Sequence, residues 1–392
     1  MATTLGPKSS EPHFSVSNII SRLRSKKHTD SKRQLPQQQQ QPEPQPQNTR
    51  PPLIHAPVPL VLPEHQHALF ELGWTTITFP ETSREPESSE SGFSAPPLKP
   101  HPLETAYQDL FTASQAFFNL PDEEKQQWTH RLGPEEGWSR VPGEKEFVTL
   151  RTLAYCPDVL RAPAQRYWDL MGQYCSNTLG RVSMALGLPD GEDEGLRRFV
   201  GPCAKMPEED DGKTATMLRL FRYEGWEEKV VAEAHADLGL VSVVVGDTPG
   251  LEVWDGAGWF DVEREVERSG RKGASMLFGR QLARLANGRL KAGGHRVVAY
   301  GKPQMQTSQA EDSAEKKYRH SIVFVLRAHE PTLLDSDALE TPITGKWAQP
   351  MKDTTAGALY QAIKSQCFNI NIDKEVRDAQ KKRLAEGKES GR

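Results

Sequence analysis

Three side chains of this sequence could share a metal ion: His235, Asp237 and, further along, His295. His235 and Asp237 are separated only by Ala236. In an extended strand successive side chains point to opposite faces, so these two would face the same way. Two imidazoles and one carboxylate on one side of a divalent ion suit Fe(II) and leave other positions open for oxygen and a chelating ligand. Fe²⁺ with one ligating carboxylate keeps a charge of about +1, which favours an anionic bidentate ligand such as a 2-oxo acid. Zinc with a bound water is another use of the same three ligands. Taken alone, the His-x-Asp triplet also reads as a loop-capping histidine beside an exposed carboxylate. A distant His adds little, since the chain has eleven.

A second group lies near the end of the strand-like half. Arg319 and Ser321 flank His320 at the start of SIVFVLRAH. On one strand face they would stand roughly 6–7 Å apart. A guanidinium fork beside a hydroxyl can receive one carboxylate, and Tyr223, at the end of LRLFRY, could add another hydroxyl. The plain alternative is a surface arginine flanking a strand.

The elements that must position these residues are legible in the pattern. Short runs rich in Val, Ile, Phe and Leu cover 218–223, 239–246, 251–254, 258–262, 274–279, 295–301 and 319–329. Turn signals such as Thr248-Pro249-Gly250, Asp255-Gly256 and Asn287-Gly288 separate them, which predicts an all-β sandwich or barrel. Earlier stretches carry helical periodicity: 64–73, 103–120 and 160–187, the last closing at Gly187-Leu188-Pro189. TTITFP forms a short alternating run, and 82–100 reads as loop. Stretch 353–386 returns to a helical pattern around an extended FNINI at 368–372.

Bulk properties narrow the classes. The 392 residues carry a formal net charge of −4, which gives no broad field for nucleic acid. Cys156, Cys175, Cys203 and Cys367 form no C-x-x-C pair, so neither a disulfide framework nor a cysteine zinc site is expected. No apolar run has the length of a membrane span. Segment 35–52 is Gln/Pro-rich and cannot offset the entropy of ordering. Upstream of it, Phe14, Val16, Ile19, Ile20 and Leu23 precede a basic stretch. This reads as a solvated basic tail, or as a partner-binding helix, a nuclear signal or a presequence.

Together these blocks resemble the isopenicillin N synthase-like branch of the 2-oxoglutarate and Fe(II)-dependent dioxygenases. GWTTITFP, FFNLPDEEKQQW, LRLFRYEG, HADLGLVSVV, LEVWDGAGWFDV, LFGRQLARLANGRLKAGGHRVV, YRHSIVFVLRAHEP and FNINIDKEVRDAQKKRL occur in the family's order over roughly 60–385. The resemblance implies that His235, Asp237 and His295 bind iron. It also implies that Arg319 and Ser321 hold the distal carboxylate of 2-oxoglutarate, with Tyr223 helping. Three departures stand out. Phe221 replaces an asparagine of many members, Arg280 replaces an acidic residue usual after Gly279, and polar residues 304–317 lengthen the connection from His295 to Arg319.

The expected fold is mainly β with flanking helices: a double-stranded β-helix (jelly roll) core preceded by a helical N-terminal region. The expected divisions are a disordered tail at 1–58, a helical region at 59–200, the jelly roll at 201–345 and C-terminal helices at 346–392. The expected activity is hydroxylation, desaturation or demethylation of a small organic substrate, with Fe(II), 2-oxoglutarate and O₂, release of succinate and CO₂, and ascorbate as a candidate reductant. Rival readings are a 2-oxoglutarate-independent Fe(II) oxidase of the same fold and an inactive ligand-binding relative. A cytoplasmic monomer that binds neither nucleic acid nor membrane is expected, with a nuclear address as the alternative offered by the basic segment.

Overall fold

β-Branched and aromatic runs suit a pleated surface packed from both sides, and here they pair into two facing antiparallel sheets. The computed structural model describes residues 50–80, 99–131, 135–224, 228–268, 270–300 and 318–389. The readings for the N-terminal tail and for 304–317 fall outside these residues, as does most of the 82–100 loop.

In chain order the strands are β1 (Trp74–Thr78), β2 (Gly137–Val141), β3 (Lys145–Leu150), β4 (Met217–Glu224), β5 (Glu228–His235) and β6 (Val241–Gly246). There follow β7 (Leu251–Trp254), β8 (Trp259–Asp261), β9 (Gly273–Phe278), β10 (His295–Tyr300) and β11 (Tyr318–Leu326). The larger sheet has seven strands in the order β1-β9-β6-β11-β4-β3-β2, and the smaller has four, β5-β10-β7-β8. The helices are α1 (Gln66–Leu72), α2 (Pro102–Phe118), α3 (Asp122–Gln126), α4 (Asp158–Ala185), α5 (Val262–Arg268), α6 (Arg280–Leu285), α7 (Ala356–Lys364) and α8 (Lys374–Glu389).

Alternation along β4 and β11 divides the buried side chains between two cores. Leu218, Leu220, Ile322 and Phe324 pack with Phe117 of α2 and Trp168 of α4. Trp168 meets the Phe324 ring edge-on at 5.5 Å between centroids. The intervening residues Phe221 and Tyr223 pack instead against Val231, Val253 and Val297 of the smaller sheet. Helix α4 stops where the sequence predicts. Gly187 takes a left-handed φ of 73°, and the amides of Gly187 and Leu188 donate to the carbonyls of Met184 and Ser183.

The jelly-roll core with flanking helices is therefore as expected. The stretch 59–200 is not purely helical, because it contributes β1, β2 and β3 to the larger sheet. Strand β5 and helix α5 were not foreseen either, and FNINI runs through turns rather than as a strand. All four cysteines are free. Among the described residues no helix is long and apolar enough to cross a membrane.

Candidate metal centre

Strand pairing, not sequence proximity, joins the two histidines. β10 runs antiparallel to β5 with His295 directly opposite His235. Their ring centroids are 4.2 Å apart. The ladder is irregular immediately after His295, and such bulges re-aim a side chain at the rim of a barrel.

Asp237 lies beyond the end of β5, so backbone contacts rather than a ladder fix it. Its carbonyl accepts from the Arg280 amide at 2.8 Å, and the Gly279 amide donates to Leu240 at 2.9 Å. Gly239 and Gly279 make this possible: a Cβ on Gly279 would lie 2.0 Å from the Gly239 carbonyl oxygen. The start of α6 thus clamps the loop that carries the carboxylate.

Asp237 Oδ1 is 3.7 Å from His235 Nε2, and Oδ2 is 3.9 Å from His295 Nε2. These separations are too long for hydrogen bonds. All three residues offer ligand atoms within 4.8 Å of one another. On the far side of each ring, His235 Nδ1 meets the Glu233 carbonyl at 2.7 Å, and His295 Nδ1 meets the Gly293 carbonyl at 3.0 Å. A carbonyl can only accept, so each Nδ1 carries a proton and each Nε2 is the ring nitrogen that faces the centre. Burial, aided by the neighbouring His295, holds the His235 imidazole well below its ordinary pKa and therefore neutral. Burial pushes the Asp237 carboxyl up, but the two imidazoles outweigh it and keep the group below the usual carboxylate range. Asp237 Oδ2 is buried without a hydrogen-bond partner. Two imidazoles with Nε2 turned inward and an orphaned carboxylate oxygen are a donor set that suits a divalent cation.

Arg319, Ser321 and Tyr223 are also brought together, since β11 pairs with β4 so that Arg319 faces Tyr223. All three are buried. Ser321 Oγ and Arg319 Nη1 have no hydrogen-bond partner. Burial keeps the Tyr223 phenol protonated at neutral pH. One feature differs from the simple carboxylate receptor. Arg319 Nη2 donates to both carboxylate oxygens of Glu263 on α5, at 2.9 and 2.8 Å, and its Nε donates to the Thr248 carbonyl. The guanidinium is thus already half engaged.

Sequence reasoning missed Glu263, which lies in the unforeseen helix. It also missed Lys145 and Arg219. Both are buried, and both bound a small space of about 70 Å³ together with Tyr223, His235, Asp237 and His295. Lys145 donates to the Ile370 carbonyl at 3.0 Å. Pro142-Gly143 between two strand-like runs was the available hairpin signal. A larger cavity of about 890 Å³ has His235 and Asp237 in its wall and α8 along one side. Arg377 fastens α8 through Glu144 at 2.7 Å and Glu233 at 2.9 Å.

Several solved structures share this fold. A full-length protein of Neurospora crassa, solved in complex with alpha-KG, superposes with a TM-score of 0.51 at 17% identity, covering 76% of this chain and 88% of that one. A protein of Caulobacter crescentus described as belonging to the 2OG-Fe(II) oxygenase family gives 0.52 at 17% identity, covering 76% and 91%. JOX2, solved with 2OG, Fe and JA, gives 0.50 at 15% identity, covering 73% and 77%. No protein-family model and no curated protein sequence matches the chain. The fold is the jelly roll of the 2-oxoglutarate and Fe(II) oxygenases.

Proposed function

We propose that this protein is an Fe(II)- and 2-oxoglutarate-dependent oxygenase acting on a small organic substrate. The observation that carries this reading is the convergence of His235 Nε2, His295 Nε2 and the unpartnered Asp237 Oδ2. The neighbours solved with alpha-KG or with 2OG and Fe support it. His235, Asp237 and His295 would hold the metal. Fe(II) and 2-oxoglutarate, when bound, would supply the chemistry by which O₂ acts as oxidant, one oxygen atom going to succinate as CO₂ leaves and the other reduced as a substrate C–H bond is oxidised. The chain's own part is placement and exclusion of water. The Glu233 and Gly293 carbonyls hold the imidazole tautomers. Arg319 Nη1, Ser321 Oγ and the Tyr223 hydroxyl offer donors to the distal carboxylate of the co-substrate.

The Arg319–Glu263 pair favours one second reading, an Fe(II) oxidase of the same fold that uses no 2-oxoglutarate, because an internal carboxylate already satisfies part of the receptor. Titrating 2-oxoglutarate into Mn(II)-loaded protein separates the two. The first reading expects saturable binding that strengthens about threefold or more in Glu263→Gln, where competition for Arg319 is relieved. Absence of binding in both forms, together with oxygen uptake that releases no succinate, would establish the second.

A further inference from the structure

The departure at Arg280 acquires a meaning in the large cavity beside the metal group. Arg280 is exposed at the rim, and its Nε donates to the Ala236 carbonyl at 3.4 Å, one residue from Asp237. Arg219 and Arg327, both buried, stand in the same wall with Lys364 of α7, and α8 adds Lys381 and Arg383. Against these six cations the wall offers Glu135, apart from Asp237 in the metal group. Arg327 Nη1 donates to Glu135 at 3.0 Å, and Lys364 reaches the same carboxylate at 4.0 Å. Burial alone would push the Glu135 carboxyl up, yet Arg327, Arg219 and Lys364 bring it down to about 2. One carboxylate therefore sits in the field of several cations.

The remaining wall is apolar in part. Met217, Leu238, Val325 and Phe368 line it between the cations and α8. Such a cavity suits a molecule with one anionic end and a hydrocarbon body, because its wall carries more cations than carboxylates while its apolar part gains from covering.

We propose that the substrate is a small organic anion, an acidic headgroup on an apolar body, received by Arg219, Arg280, Arg327 and Lys364. This rests on the oxygenase reading, since it places the body beside His235 and Asp237. The headgroup is a carboxylate or a phosphate, both of which a guanidinium fork can bind.

The test measures calorimetric binding to Mn(II)-loaded full-length protein under argon with saturating 2-oxoglutarate, so that the co-substrate's own charge is already accommodated. The probes are phenylacetate, octanoate and phenyl phosphate, with phenylacetamide and phenethylamine as neutral and cationic counterparts. At least one anion is expected to bind about tenfold or more tightly than the amide, with the amine weakest. The best anion identifies the headgroup. In Arg280→Glu the ratio of acid to amine affinity is expected to fall about tenfold, whereas misfolding would weaken all probes alike. Equal binding of amide and anion, or an unchanged ratio in Arg280→Glu, overturns the proposal. Failure to bind Mn(II) would instead strike the oxygenase reading, and the same probe series on metal-free protein then tests the anion preference by itself.

Discussion

On one face of the seven-stranded sheet Leu218, Leu220, Ile322 and Phe324 are buried against helices; on the other, the same two strands bury Arg219, Tyr223, Arg319 and Ser321. Both faces are shielded from water, but at these positions the first is apolar and the second is polar. Apolar burial stabilises at roughly 25 cal/mol per Å², whereas a buried polar group costs free energy unless it is matched. The helix-covered face therefore supplies cohesion. The face toward the smaller sheet leaves Arg319 Nη1 and Ser321 Oγ without hydrogen-bond partners close to the metal ligands.

If that division is right, substitutions on the two faces fail in different ways. The largest effect is expected for Asp237→Ala or His295→Ala. Affinity for Fe(II) or Mn(II) should drop more than about 100-fold, read by metal titration, while the denaturant midpoint stays near wild type or rises. A parallel collapse of stability would erase the distinction. Next comes Trp168→Ala on the helix side, expected to cost about 3–5 kcal/mol in a urea titration. Below the unfolding transition the remaining folded protein should still bind Mn(II) with little change.

The smallest effect concerns Lys145. Burial lowers its pKa from 10.5 to about 7. Between those values the unfolded chain carries a proton that the folded chain lacks, so stability should rise with pH across that window. Lys145→Met should flatten that rise. An unchanged slope would mean that Lys145 keeps its charge inside the barrel.

Much of this was legible in the sequence because hydrophobic period and turn residues are local signals. The strands leading to His295 and Arg319, and the close of α4 at Gly187, needed nothing else. The His-x-Asp spacing placed two ligands on one face, although in the structure β5 ends at His235 and Asp237 is set by the α6 clamp. Strands β2 and β3 were hidden because their Lys, Glu and Arg residues read as surface. Lys145 and Glu146 are buried, and Glu146 is matched by Lys125 at 3.2 Å. Glu263 could not be found from sequence, since nothing local indicates that a residue of a short acidic helix meets Arg319. Pairings made by tertiary contact alone leave no periodic trace.

The fastening of α8 has one further consequence. This helix borders the large cavity and is tied to the barrel by Arg377 and Lys381 acting on Glu144 and Glu233. Arg377 is buried and its pairs are little screened, but Lys381 and Glu233 are each about one third exposed, and their attraction weakens as dissolved salt shortens the Debye length, to about 8 Å at physiological ionic strength and less above it. The apolar packing of Phe117 and Trp168 against the sheet has no such sensitivity. Raised salt should therefore loosen the Lys381 contact of this border while leaving the Arg377 ties and the apolar scaffold in place.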